Sequence, residues 1–427
     1  MAAVKTAFTE DAVLELSGLH NEPEWLLGRR LEAFAAFERT PAPSRTDEEW
    51  RRTDVSHLNV DRFQHFEAGS GHIPPEALAE AAGALFQSGS QIDHIRLDPQ
   101  LAAKGVILMS LEQAAREYPE LVRPRLFSEL KPDRDRFAAL HASFFSGGAF
   151  LYVPDGLVID RPIASRFSSR EGGTAILPHV LIVAGRGSRF NYLDEFISDD
   201  DEPEGYKSGS VEIFAGEGSE VGYVGLQKWG VNAWHLGDRR ARVEKDSTVR
   251  LFSVSLGAKF SKTRVEATLV GPGASAELKG IYFASGKQFF DFHTLQDHQV
   301  GNTTSDLLFK GALQDVSRTV YAGLIRIEKG AARSDAYQAN RNLVLSEKAQ
   351  ATSIPMLEID NNDVRCTHGA TVGPIDPQHL FYLQARGIPR NTAVRMIVQG
   401  FFGQVLDRIP FAEARELIEH ELEARLG

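Results

Sequence analysis

Ser210 to Leu226 reads SVEIFAGEGSEVGYVGL. Two runs of β-branched, aromatic and small residues flank the tetrapeptide Gly216-Glu217-Gly218-Ser219. That is the pattern of a strand, a tight turn and a second strand. Working outward, the same unit recurs. Gly185-Arg186-Gly187-Ser188 lies before it, and Glu244-Lys245-Asp246-Ser247, Gly271-Pro272-Gly273-Ala274, Gly301-Asn302-Thr303-Thr304 and Glu328-Lys329-Gly330-Ala331 follow. Each turn succeeds an apolar run and closes on a small residue. The spacing is roughly 27 to 31 residues, the period of a solenoid whose coils bury a continuous core against their neighbours. A shorter step leads to Ser346-Glu347-Lys348-Ala349. Few helix-length segments interrupt the series from about Phe150 onward, so a doubly wound α/β sheet is not expected. Spacing alone leaves an ordinary sandwich with similar hairpin turns as the alternative.

The ends of the chain have a different texture. In EPEWLLGRRLEAFAAFERTPAP, Trp25, Leu26, Leu31, Phe34 and Phe37 recur near helical spacing, and Pro41 and Pro43 close the segment. EALAEAAGALFQ (76–87), SLEQAAREYPELV (110–122) and DRDRFAALHASFFSGGAF (133–150) read as further helices, with GVILM (105–109) a strand among them. After Gly373, DPQHLFYLQARG is a short helix with Gly387 at its C′ position. Next, Val394, Ile397, Val398, Phe401, Phe402, Val405 and Ile409 share one helical face. FAEARELIEHELEARL forms a final acidic amphipathic helix. This tail either packs on its own body or docks a partner, and composition favours packing.

The bulk numbers remove several functions. The 427 residues carry a net charge of −11, and such a surface repels phosphate backbones, so no nucleic acid is expected. One cysteine excludes an intramolecular disulfide and any four-cysteine zinc or iron–sulfur site built from this chain alone. No run approaches the roughly 18 apolar residues of a membrane helix. Acidic residues break the N-terminal stretch before a signal peptide could form. These features predict a soluble cytoplasmic protein with no membrane partner. Gly286-Lys287-Gln288 lacks the residues of a phosphate loop, GRGSRF is not a strand-to-helix crossing, and neither Gly-x-Ser-x-Gly nor His-Glu-x-x-His occurs.

Two groups of chemistry-bearing residues remain. His293, Asp297 and His298 cluster in DFHTLQDHQVG and read as structural. Cys366 and His368 stand in DVRCTHGATVG, which alternates like a strand after the turn at Asn361-Asn362. Residues i and i+2 of a strand face one way, so Cys366 and His368 project together with Val364, while Arg365 and Thr367 face the other way. A thiolate and an imidazole suit iron or zinc. Two ligands do not complete a tetrahedral site, so another chain or segment would have to supply the rest. The competing reading is packing, since a buried free cysteine behaves as a small hydrophobe.

HTLQDHQVGNTTSDLLFKGAL (293–313), ARSDAYQANRNLVLSEKAQATSIPMLEIDNNDVRCTHGATVG (332–373) and DPQHLFYLQARGI (376–388) resemble the SufB/SufD family of iron–sulfur cluster assembly proteins, and EPEWLLGRRLEAFAAF with EEWRRTDV is similar to that family's N-terminal region. Within the family the chain looks like the SufD branch. Gly369 stands where the SufB branch has a glutamate implicated in cluster building, and Asn340 stands where that branch has a sulfur-accepting cysteine. The resemblance implies a mainly β fold: an N-terminal mostly helical region (1–148), a right-handed parallel β-helix (149–375) and a C-terminal helical domain (376–427). It implies pairing of this β-helix with SufB and docking of the SufC ATPase on the C-terminal helices, for which Phe401, Phe402 and Val405 are the candidate side chains. It also implies that His368, with Cys366 as the lesser neighbour, is a partial iron or cluster-assembly site completed by SufB. Catalysis by the chain itself is not implied, since ATP hydrolysis would belong to SufC. No tightly bound cofactor is expected in the isolated chain, and iron or an iron–sulfur cluster would be held transiently in the complex. A SufB-like or stand-alone homodimeric scaffold is the alternative within the family. A β-helix carbohydrate-active enzyme is the alternative outside it, and that reading wants a secretion signal.

Overall fold

A computed structural model describes residues 6–71 and 80–426. The chain is 40% strand and 24% helix and forms a β-solenoid of about eight turns with helices before and after it. Ahead of the solenoid come α1 (Glu10–Leu19), α2 (Glu24–Arg39), β1 (Gly83–Ser88), β2 (Gln91–Leu97), α3 (Pro99–Ala103), β3 (Ile107–Ser110), α4 (Leu111–Glu117), α5 (Pro119–Val122) and α6 (Arg136–Phe144). Each coil then gives its later strand to a first sheet, which β1 and β2 extend, and its earlier strand to a second sheet, which β3 extends. The first four coils are β4 (Ala149–Val153) with β5 (Ile163–Ser169), β7 (His179–Ala184) with β8 (Arg189–Ser198), β10 (Ser210–Ala215) with β11 (Glu220–Lys228), and β12 (Trp234–Val243) with β13 (Thr248–Ser255). The last four are β14 (Phe260–Leu269) with β15 (Ser275–Ala284), β16 (Phe289–His298) with β17 (Thr304–Leu313), β18 (Arg318–Ile327) with β19 (Ser334–Val344), and β20 (Gln350–Ile359) with β21 (Val364–Pro374). Two short strands, β6 (Ala175–Ile176) and β9 (Tyr206–Lys207), pair beside the second sheet. The tail is α7 (Pro377–Ala385), α8 (Arg390–Leu406) and α9 (Ala412–Leu426).

The turn that opened the sequence reading fixes this architecture. Gly218 sits between β10 and β11 at φ 69°, and its counterparts Gly187, Asp246, Gly273, Asn302 and Arg333 have φ between 55° and 78°. A left-handed residue is needed there to reverse the chain, which glycine allows freely and Asn or Asp tolerate. The turns stack and bond to one another: Gly187 N donates to Glu217 O at 2.8 Å, Gly218 N to Lys245 O at 2.9 Å, Asp246 N to Pro272 O at 3.0 Å and Gly273 N to Asn302 O at 2.8 Å. The column ends where Arg333 N donates to Asp363 O at 2.6 Å. Its last member is therefore the β20–β21 turn at 360–363. Ser346-Glu347-Lys348-Ala349 lies between β19 and β20, on the opposite edge, which explains its short step. Alternate residues of every strand point inward, and the core includes Val211, Ile213, Val221, Tyr223, Val249, Leu251, Val265, Leu278 and Leu307.

Helices cover the outer faces of the coils. Leu181 and Val183 of β7 pack against Leu26, Leu111 and Phe145 of the N-terminal elements. Val224, Phe252, Ile281 and Phe283 of the first sheet pack against Val398, Phe402, Val405, Ile418 and Leu422 of α8 and α9. The predicted helix over 76–87 lies partly outside the described residues. Its described part forms β1, which runs parallel to β5 and extends the first sheet, because Ala84 and Leu85 find a fully buried place there. Tertiary pairing overrides helical propensity in this segment. Strand pairing thus begins ahead of residue 149.

The two ends of the solenoid differ. At the N-terminal end, β2 and β3 pair antiparallel to β1 and β4 and close both sheets. At the C-terminal end, among the described residues, β20 pairs only with β18 and β21 only with β19.

Candidate functional site at the open end of the solenoid

The strand β21 carries both sequence-predicted ligands. Register places Cys366 beside Ala336 and His368 beside Gln338. Following the partners back through the sheet, the Cys366 column runs through Ala336, Ser305, Ala276 and Val249, and the His368 column through Gln338, Leu307, Leu278 and Leu251. Those earlier members are all buried. Cys366 and His368 therefore occupy inward-facing positions of the eighth coil, together with Val364, Ala370 and Val372. With no further coil above them, these positions open outward: His368 is exposed and Cys366 half-buried. The predicted common face of the pair and its packing at the interior are both consistent with this register. They describe the same column, seen where it ends.

Burial pushes the Cys366 thiol up from its ordinary value, and the Asp335 carboxylate on the neighbouring strand adds to the effect. The thiol is thus held protonated, and becoming a ligand requires a cation at the site to displace the proton. Among the described residues no group of three or more His, Cys, Asp or Glu side chains could hold a metal ion. Among the described residues the pair remains two candidate ligands and no more.

The last coil leaves apolar side chains exposed. Leu357 and Ile359 on β20 continue the inward columns of the buried Ile325 and Ile327, and Val372 on β21 that of the buried Asn342, while Met356 on β20 and Tyr337 on β19 are exposed at positions that face out of the coil. Among the described residues, the outer edges of β20 and β21 present backbone donors and acceptors with no partner strand. Such an edge is a template for pairing with another chain.

The other candidates fall elsewhere. His293 and His298 lie on β16, five residues apart, and so face opposite sides of the sheet. His293 faces Asp291 at 3.2 Å, while His298 is buried with Thr303 at 2.7 Å and Ser305 at 2.8 Å. They form no common site. Asn340, where the resemblance places a cysteine of the SufB branch, is buried in the core and donates to the Tyr282 hydroxyl at 3.0 Å.

Of the three candidate docking side chains, two lie inside the fold. Phe402 is 0% and Val405 1% exposed, because α8 lays them onto the first sheet. Phe401 is half-buried, with the Lys310 ammonium 4.6 Å from its ring centre. The exposed aromatics of the tail are instead Phe381 at 73% and Tyr382 at 57%, on α7, a helix with no buried residue. The signal was present in the sequence: the run Leu380-Phe381-Tyr382-Leu383 wraps around a helix, so one buried face cannot cover it all.

Residues 166–401 match the family model described as SUF system FeS cluster assembly, SufBD core domain, and residues 89–164 match the SufBD protein N-terminal region. The iron-sulfur cluster assembly protein SufD of Bacillus subtilis is 28% identical over 438 residues, which cover 99% of each chain. An iron-sulfur cluster assembly SufBD family protein of Staphylococcus epidermidis is 28% identical over 442 residues, covering 98% of this chain and 94% of that one. A solenoid matched along more than half the chain by the core model, preceded by the matching N-terminal region, leads to one conclusion: the chain belongs to the SufBD family of iron–sulfur cluster assembly proteins.

Proposed function

We propose that this chain is the SufD-type subunit of a cluster-assembly scaffold, in which the open end of its solenoid pairs with a SufB chain. The observation that carries the reading is the uncapped eighth coil, where two unpaired strand edges surround the outward-opening Cys366 and His368. The short count of ligands supports a shared site. His368 and the half-buried Cys366 supply part of the donor set, and SufB supplies the rest. Iron and sulfide are cargo here, held while a nascent cluster forms and then passed on. His368, exposed and able to offer a neutral imidazole nitrogen, is the main iron contact. Cys366 is the secondary one, since its thiol must first lose a proton.

The exposed Phe381 and Tyr382 of α7 support docking of the SufC ATPase on the C-terminal helices. Aromatic anchors of this kind dominate partner binding when a complementary pocket receives them. ATP hydrolysis belongs to SufC, and this chain acts as scaffold. No described helix is long and apolar enough to cross a membrane, in keeping with an assembly that works in the cytoplasm.

The test is His368→Ala in the complex co-purified with SufB and SufC. The expected result is loss of iron and acid-labile sulfide from an otherwise intact assembly. Full cluster content with all three chains present would overturn the site assignment. A mass measurement showing the isolated chain as a homodimer through the same end, resistant to SufB, would overturn the pairing.

A further inference from the structure

The core of the solenoid changes character just beneath the open end. The His368 column is aliphatic at Leu278 and Leu307 and then becomes Gln338. Gln338 is 0% exposed. Its Nε2 donates across the core to the Gly323 carbonyl at 3.1 Å. A carbonyl can only accept, so this bond fixes which way the amide is turned. The other end, Oε1, is buried and has no hydrogen-bond partner. The two asparagines further along the strand are linked instead: Asn340 donates to Tyr282, Tyr282 donates to Asn342 at 2.6 Å, and Asn342 donates back to Asn340 at 2.8 Å, whereas Gln296, which donates to the Tyr337 carbonyl, likewise has an unpartnered Oε1. A buried acceptor left unpaired forfeits its hydration with nothing in return, and in a native structure such an atom calls for an explanation.

The neighbour above Gln338 in the same inward column is His368. Adjacent strands lie roughly 4.7–4.9 Å apart, so the two side chains leave the backbone one strand spacing from one another. Among the described residues no side chain, Gln338 included, is hydrogen-bonded to the His368 ring. A neutral imidazole has one N–H donor and one lone-pair nitrogen, and the partner of the N–H decides which nitrogen is which. We infer that Gln338 is a positioning residue for His368: its Oε1 accepts the imidazole N–H, which selects one tautomer and turns the lone pair of the other nitrogen out of the open end toward a divalent iron. The inference rests on the reading of His368 as an iron contact. It adds that the seventh coil sets which nitrogen is offered.

The experiment follows the ring directly, in the full chain with 15N-labelled histidine, at a pH where the imidazole is neutral. His368→Ala assigns the signal. The expected wild-type result is a single tautomer at His368. Gln338→Met, which keeps the volume and removes the acceptor, is expected to give the tautomer mixture of a solvated imidazole. Gln338→Glu, which keeps an acceptor oxygen, is expected to retain the single tautomer. In the complex with SufB, Gln338→Met is expected to weaken anaerobic Fe(II) binding by about 10- to 100-fold. A mixed tautomer in the wild type overturns the inference, and needs no variant to fold. A tautomer unchanged in folded Gln338→Met overturns it as well. Fe(II) binding unaffected by His368→Ala overturns the site reading itself and the iron step with it, whereas a tautomer set by Gln338 would still stand. The two failures are therefore distinguishable.

Discussion

Two phenylalanines of the C-terminal tail separate packing from docking. Phe402 on α8 is fully buried among Val398, Val405, Ile281 and Phe283, and Phe381 on α7 is almost three-quarters exposed. Phe402→Ala removes a buried aromatic ring and leaves a cavity between α8 and the first sheet. An aromatic side chain buries about 150–250 Å², which at about 25 cal/mol per Å² gives roughly 4–6 kcal/mol as an upper bound. Measured Phe→Ala changes in cores fall at about 3–5 kcal/mol. Phe381→Ala removes a ring that touches little in the isolated chain, so its effect on stability stays within about 0.5 kcal/mol. Urea unfolding of the isolated chain, with hydrogen exchange followed along α8, reads the first quantity. Binding to purified SufC, measured by titration, reads the second. The expected outcome is a crossed pattern. Phe402→Ala loses about 3–5 kcal/mol and the protection of α8, while Phe381→Ala keeps both and loses at least about tenfold in SufC affinity. The reasoning is refuted if Phe402→Ala leaves stability within about 1 kcal/mol while abolishing SufC binding.

Three further outcomes follow from the junction between the N-terminal elements and the solenoid. The buried Glu212 carboxylate accepts from Phe127 N at 2.6 Å, Glu129 N at 2.9 Å and Leu130 N at 3.2 Å, with His179 Nε2 at 3.1 Å. Glu212→Ala orphans those donors and should cost at least about 3 kcal/mol in urea melts, and a loss below about 1 kcal/mol would count against the network. Burial, with Glu22 beside it, holds the Glu112 carboxyl up at about 7 against an ordinary 4.5. The folded chain binds this proton more tightly than the unfolded one, so stability is fully present below about pH 4.5 and falls by about 3 kcal/mol as pH rises through about 7. Glu112→Gln, which still accepts from Gly147 N, should flatten that part of the stability–pH curve, and an unchanged slope would reject the assignment. Gly148 stands at φ 95°, and a Cβ there would lie 1.9 Å from the His179 carbonyl oxygen. Gly148→Ala should destabilise by more than about 2 kcal/mol, read from the shift in the urea midpoint.

The sequence by itself determined the coil period and the common face of Cys366 and His368. Both are local properties. A left-handed turn residue followed by a small buried one is written in four letters, as at Gly216–Ser219, and strand alternation assigns i and i+2 to one side wherever the strand lies. The helices α2, α8 and α9 were legible for the same reason, from their own periodicity. Other features depended on what packs against what. Gly83–Gln87 reads as helix until β5 offers it a partner. Phe402 and Phe381 are equally apolar letters, and only the placement of α8 on the first sheet covers one and leaves the other in solvent. Ser346 belongs to a different edge from Glu328 because chain reversal alternates between two edges. Above all, the sequence places Cys366 and His368 on an interior face but not at an end. An inward column is core while another coil lies above it and becomes an accessible site where stacking stops. That is set by the pairing of β21 with β19 alone, a tertiary fact.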